Sequence, residues 1–255
     1  MSTKKEDKLK YMLEAHKPGV PFLAGWLEEH GISRDLQKRY RKSGWLSSLG
    51  TGVYQRPHDA VTWRGALCAL QEQAALPVHA GALTALSLQG QARYMRLGGE
   101  TVFLFSSSGR KLPKWFCDYD WGVPVQPVRT SFLPEDKGLT AHQEQNFTIR
   151  VSSAERAMLE CLYLAPERMD LVECYQLMEG MANLRPKLLQ DLLESCQSVK
   201  VKRLFLYMAD KAGHQWRTFL DADRFDLGSG DRAIVKGGAY VSKFGISIPG
   251  ELAKL

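Results

Sequence analysis

From Pro18 to Gly52 glycine and proline fall so densely that no long element fits there. Pro18-Gly19 ends a helix-permissive run from Lys4 to Ala15 with Leu9, Met12 and Leu13 on its apolar side. Pro21 suits a first helical position, and Phe22, Leu23, Trp26 and Leu27 follow at spacings that bury one side of a second helix, which stops at Gly31. Ser33 is then a good N-cap for a third helix, Asp35 suits its first turn, and Gly44 closes it. WLSSLGTGVYQR reads as two strands, Trp45 to Leu49 and Val53 to Arg56, around Gly50-Thr51-Gly52, whose glycines supply the positive φ of a tight turn. Helix, helix, short turn, helix, hairpin is the layout of a winged helix-turn-helix.

The third helix carries the chemistry. At a helical pitch Leu36 and Tyr40 lie about 40° apart and define a buried stripe. Arg34, Lys38 and Arg41 then fall on the opposite side, with Lys42 at the edge of that band and Arg39 on its flank. In the hairpin, Thr51, Tyr54 and Arg56 are placed to meet a nucleic-acid backbone. A cationic helix face is in general simply solvated. Its place in the helical triad, the glycine-flanked hairpin after it and the local charge weigh toward DNA binding.

That local charge is uneven along the chain. The formal net charge is +6, yet residues 1–56 hold 11 Lys/Arg against 6 Asp/Glu, residues 57–196 hold 13 against 16, and residues 197–255 hold 10 against 6. Both ends are positive and the middle is not, which points to an anionic partner met by the N-terminal part and assisted by the C-terminal one. In the latter, Lys200, Lys202, Arg203, Arg232, Lys236 and Lys243 form a candidate second basic surface, facing DNA, RNA or a protein, or forming only a solvated rim.

Downstream, Asp59 is placed to cap a helix from Ala60 to Gln73, and Pro77 precedes another from His79 to Leu88. Two strands, Ala92 to Leu97 and Thr101 to Phe105, are expected around Gly98-Gly99. Residues 106–150 read as loop, and the aromatic cluster Trp115, Phe116, Tyr119 and Trp121 as its core anchor. Ser152 with Glu155 suggests a capping box for a helix to Leu164, Asp170 with Glu173 opens a second, and Pro186 a third. Val199 to Ala212, ended by Gly213, makes a fourth, and Arg232 to Lys236 and Ala239 to Lys243 flank Gly237-Gly238 as a hairpin. The expected fold class is α+β: an N-terminal winged helix-turn-helix over 1–90, and a mixed, mainly helical C-terminal domain with a small sheet over 91–255.

Catalytic and metal signatures are missing. Cys68, Cys117, Cys161, Cys174 and Cys196 are widely spaced with no C-x-x-C pair, so they read as reduced core thiols without metal. Gly228-Ser229 with Asp231 faintly resembles a nucleotidyltransferase signature, but no Asp or Glu follows between Lys236 and Ile248 to hold metals. No phosphate-cradling G-x-x-x-x-G-K-[ST] occurs. No cofactor is expected. There is no apolar run of membrane-spanning length, and the start MSTKKEDKLK lacks a secretory signal, so a cytoplasmic protein without a membrane partner is expected.

GVYQRPHDAVTWRGALCALQEQ with its continuation HAGALTALSLQGQARY resembles the N-terminal region of the AbiEi family, antitoxins of abortive-infection type IV toxin-antitoxin systems. SSAERAMLECLYLAP resembles the start of that family's C-terminal domain, and VKVKRLFLYMADKAG with DLGSGDRAIVKGGAYVSKFGISIP its end. The resemblance implies a non-enzymatic repressor that binds inverted repeats in its own operator. It further implies a C-terminal domain that antagonises a nucleotidyltransferase-like toxin without a stable complex. The family's basic recognition helix falls on Arg34, Lys38, Arg39, Arg41 and Lys42. The alternative left open is a winged helix that serves as a protein or RNA interaction module and binds its partner directly.

Overall fold

Around the basic segment the chain folds as short elements, as its punctuation demands. The computed structural model describes residues 3–14, 17–92 and 100–255. The first elements are α1 (Thr3–Glu14), β1 (Phe22–Leu23), α2 (Ala24–Glu29), α3 (Arg34–Lys42), β2 (Ser47–Gly50) and β3 (Val53–Gln55). The sheet order is β1-β3-β2, all antiparallel. Met12, Phe22, Leu27, Ile32, Tyr40, Leu46 and Tyr54 fill a small core of their own.

Two local expectations change here. Phe22 and Leu23 do not begin a helix at Pro21. They pair with Tyr54 and Val53 as a strand, which satisfies the free edge of β3, and α2 starts only at Ala24. In the hairpin Gly50 stays in β2, and the turn is Thr51-Gly52 with Gly52 at φ +72°.

The larger unit contains α4 (Trp63–Glu72), β4 (Val78–Ala80), α5 (Ala82–Leu88), β5 (Val102–Ser106), α6 (Lys114–Asp118), β6 (Val125–Arg129), β7 (Leu139–Gln143) and β8 (Thr148–Ser152). The helices α7 (Ala154–Leu164), α8 (Leu171–Glu179), α9 (Pro186–Ser195) and α10 (Val199–Ala212) follow. The chain then forms β9 (Arg232–Ala233), β10 (Ala239–Val241), β11 (Ile246–Ile248) and α11 (Gly250–Lys254). A mixed five-stranded sheet has the order β6-β5-β4-β8-β7, and α7 packs against α5, α8, α9 and α10 at the centre. The class is α+β, with helices and small sheets in both parts. The apolar side chains of α4, β4 and α5, together with Val20 before β1, belong to the same core as the buried apolar residues after residue 100.

Several patterns misled for identifiable reasons. Val78–Ala80 is a fully buried central strand, whose uniform apolarity does not distinguish it from a helix turn. Residues 106–150 supply α6, whose Cys117 is exposed whereas the other four cysteines are in the core as expected, and most of three strands, of which β6 and β7 are largely exposed and carry the Pro and Gln that look like loop. The helix expected from Ala60 starts at Trp63 after Thr62, so Asp59 is not its N-cap. Ser153, not Ser152, precedes α7, and no side chain caps it, because Ser152 and Glu155 are engaged elsewhere. Arg232–Ala233 and Ala239–Val241 do not pair with each other; both pair with β11, inserted between them. Residues 93–99, which hold the rest of the strand expected from Ala92 to Leu97 and its Gly98-Gly99 turn, lie outside the described residues. Asp170 caps α8 as expected, and Gly213 ends α10 at φ +67°.

The larger core is organised around a buried carboxylate. Glu160 Oε1 accepts from His79 Nε2 at 2.9 Å and Arg156 Nε at 2.8 Å. Its Oε2 accepts from Ser152 Oγ at 2.7 Å and from the Ala82 backbone N–H at 2.9 Å. The cluster thereby joins β4, α5, β8 and α7. Arg156 donates onward to the carbonyls of Pro134 and Lys137, both at 2.6 Å. Burial alone would push the Glu160 carboxyl up, but His79, Arg156 and Ser152 hold it at about 2. Burial also lowers His79, against the pull of Glu160, so the imidazole acts mainly as a neutral donor and Arg156 is the ionic partner.

Glu160→Gln leaves Arg156 buried without a counter-charge and is expected to cost about 3–5 kcal/mol in urea unfolding. Because the folded carboxyl is depressed, the stability it confers is complete above the ordinary carboxylate range and is lost as pH falls toward about 2. The wild-type melting temperature therefore falls more steeply than that of the Gln variant between about pH 5 and pH 2. Parallel pH profiles of the two would contradict this.

Candidate nucleic-acid interface

The orientation of α3 is set by residues that look ordinary in the sequence. Ser33 caps its N-terminus, accepting from Leu36 N at 3.4 Å. Tyr40 is buried, and burial raises its phenol pKa. Leu36 is only half-buried and packs on the edge of the small core. The centre of the inward face is instead Gln37, 0% exposed, whose Nε2 donates to Ala24 O at 3.0 Å and Ile32 O at 2.9 Å. A buried glutamine of this kind is invisible to an apolar-periodicity search.

With Gln37 and Tyr40 inward, all five cations of α3 are exposed. They are not equivalent. Arg34 Nε lies 2.8 Å from Glu28 of α2, a hydrogen bond that raises the Arg34 pKa, and Lys38 lies 3.7 Å from Asp35 one turn back. Arg39, Arg41 and Lys42 have no acidic partner among the described residues. The guanidinium of Arg41 sits 5.8 Å above the Tyr54 ring. Between the C-terminal half of α3 and the start of β2 runs a groove of about 640 Å³ lined by Lys38, Arg39, Arg41, Lys42, Ser47 and Ser48. The cations on one wall suit a phosphate chain; across from them Ser47 Oγ donates to Gln55 O at 3.4 Å and Ser48 Oγ to Gly50 O at 3.2 Å, beside Leu46 and Pro57.

The wing differs from expectation. Tyr54 is 8% exposed and belongs to the core, so it supports Arg41 rather than meeting a ligand. Arg56 is half-buried. Thr51 is exposed, but the tip of the hairpin faces α6: Leu49, Gly50 and Thr51 share a cleft with Lys114, Trp115 and Tyr119. A Cβ on Gly50 would lie 3.1 Å from the Trp115 side chain. Within the aromatic cluster, Phe116 is fully buried and Trp121 Nε1 donates to its carbonyl at 2.8 Å, so the cluster anchors this loop as read from the sequence.

The second set of basic residues does not form one surface. Lys202 and Arg203 are 3% and 6% exposed. The Arg203 guanidinium donates to the carbonyls of Leu227, Gly228, Gly230 and Gly245 and so ties α10 to the last sheet. Lys200 is half-buried on the carbonyls of Tyr163 and Ala165, and Lys243 is paired with Asp210. Arg232 and Lys236 alone of the six remain exposed without an acidic partner among the described residues. These side chains were counted by charge, and charge does not report the carbonyl oxygens that α10 meets. Among the described residues no three His, Cys, Asp or Glu side chains cluster as a metal site, and no helix is long and apolar enough to cross a membrane.

Residues 5–97 match a family model described as transcriptional regulator, AbiEi antitoxin N-terminal domain. Residues 99–249 match one described as transcriptional regulator, AbiEi antitoxin, type IV TA system. No curated protein matches significantly. Among solved structures, the crystal structure of the RV2827C protein from Mycobacterium tuberculosis is similar in fold, with a TM-score of 0.58 at 12% identity over 89% of this chain and 85% of that one.

Gln37→Leu keeps the volume but strands the Ala24 and Ile32 carbonyls. It is expected to destabilise the N-terminal unit by about 1–3 kcal/mol, read as faster amide exchange in residues 24–42 with α7 unchanged. Exchange indistinguishable from wild type would show that the amide does not seat α3.

Proposed function

The chain belongs to the AbiEi antitoxin family of transcriptional regulators of type IV toxin-antitoxin systems, and from that membership we propose that residues 33–56 bind double-stranded operator DNA bearing inverted repeats and so repress the chain's own operon. The observation that carries the proposal is the groove in which Arg39, Arg41 and Lys42 stand without acidic partners opposite Ser47 and Ser48. Exposed cations lacking counter-charges release condensed counterions when they meet phosphates, which is the main source of affinity for a duplex.

The N-terminal part of α3 enters the major groove, and its C-terminal half grips the flanking backbone. Arg34, oriented by Glu28, and Lys38 face the bases or their near phosphates. The wing's tip is turned to α6 and Tyr54 is in the core, so β2 only walls the groove and the cations of α3 make the phosphate contacts. The larger unit takes the antitoxin role, antagonising a nucleotidyltransferase-like toxin without a stable complex. It does so without catalysis or a cofactor, and its buried carboxylates Glu155 and Glu160 are committed to Arg185 and Arg156.

In a mobility-shift assay on the chain's own upstream DNA, Arg39→Glu with Lys42→Glu should weaken binding on the order of 100-fold at about 0.15 M salt. The double variant should keep the wild-type melting temperature, since neither side chain has an intramolecular ion pair among the described residues. Arg41→Ala should reduce the slope of log affinity against log salt by about one. An unchanged shift for the double variant would favour the protein or RNA interaction reading.

A further inference from the structure

A second cationic concavity lies far along the chain from α3, where β5 and β6 end. The two strands are parallel, with Ser106 opposite Arg129, so the loops leaving their carboxyl ends emerge side by side. Thr130 N donates to Ser106 O at 3.0 Å, and the Ser108 and Ser131 hydroxyls share a hydrogen bond of 2.8 Å. The C-terminal end of α7 and the first turn of α10 close the other side, leaving a cavity of about 630 Å³. Carboxyl ends of parallel strands are a recurrent place for ligands, and this volume is that of a small-molecule site.

The lining is polar and mostly basic. Arg129 and Arg168 are exposed and have no hydrogen bond or ion pair from their side chains among the described residues. Lys200 Nζ donates to Tyr163 O at 2.9 Å and Ala165 O at 2.6 Å, which fixes its position without a direct ion pair among the described residues and leaves a third N–H for a ligand. Glu167 is the single acid on the wall, against three cations.

We propose that this cavity binds the phosphate monoester of a small molecule of nucleotide size, held by Arg129, Arg168 and Lys200. A phosphate monoester is a dianion, which matches the local excess of two positive charges, and the guanidinium forks suit its oxygens. Val128 and Leu164, both buried, line the cavity beside these cations. Burial lowers the Lys200 pKa, against the pull of Glu167, and a bound anion would reverse that loss. The Tyr163 ring is stacked on Phe132 at 4.3 Å and has Lys200 Nζ 5.8 Å from its centre. Neither face is free for a base, so recognition rests on the phosphate.

The test is calorimetric titration of the full chain with adenosine 5′-monophosphate, and with adenosine as the control, at about 0.15 M salt. Saturable binding of the monophosphate, none of adenosine, and a loss of at least about tenfold in Arg129→Glu with Arg168→Glu are expected. The melting temperature and the operator mobility shift of that variant should stay as in wild type. Should the double Glu variant melt early, Arg129→Gln with Arg168→Gln removes the charge with less perturbation and should show the same loss. No saturable binding of the monophosphate, equal binding of adenosine, or undiminished binding by the variants overturns the proposal. So does an oligoribonucleotide without a terminal phosphate that binds more tightly than the monophosphate through the same arginines.

Discussion

The rotation of α3 about its own axis rests on one buried amide. Gln37 Nε2 bonds two carbonyls, one at the start of α2 and one in the turn before α3, so the helix cannot roll without abandoning both. Each abandoned partner would cost roughly 1–3 kcal/mol in a dry interior. An apolar residue at position 37 would fill the space but would tolerate a roll of several degrees. With the amide in place, Tyr40 falls inward and the cations at 34, 38, 39, 41 and 42 fall outward.

A second set of contacts fixes where that cationic face stands relative to the rest of the chain. Gln73, at the end of α4, accepts from Leu23 N at 2.7 Å and donates to Pro21 O at 2.8 Å, so it completes the outer edge of β1 as another strand would. Lys17 pairs with Glu72 beside it, and a Cβ on Gly65 would collide with the Gly19 backbone. On the opposite side the hairpin tip meets α6 around Trp115. The two cores are thus joined on both flanks of the small sheet.

Much of the N-terminal part was legible because its signals are local. Ser33 as cap, Gly44 and Gly52 as punctuation, and the amphipathic placement of the cations all depend on residues within a turn of one another. The same held for Asp170, Pro186 and Gly213, each acting on the element beside it. What could not be read was pairing at a distance. β1 is a strand only because β3 arrives some thirty residues later to meet it, and Val78–Ala80 only because β5 and β8 flank it. For the candidate site, the charges were found but not their partners. Glu28 on Arg34 and the four carbonyls around Arg203 come from other elements, and they decide which cations remain available.

The most direct test of the central claim is hydrogen exchange of the full chain with and without its upstream duplex, resolved by peptide. The account predicts protection concentrated in residues 34–48, fading as salt is raised and counterion release loses its drive. Protection confined to residues 186–255, with α3 exchanging as in the free protein, would contradict it.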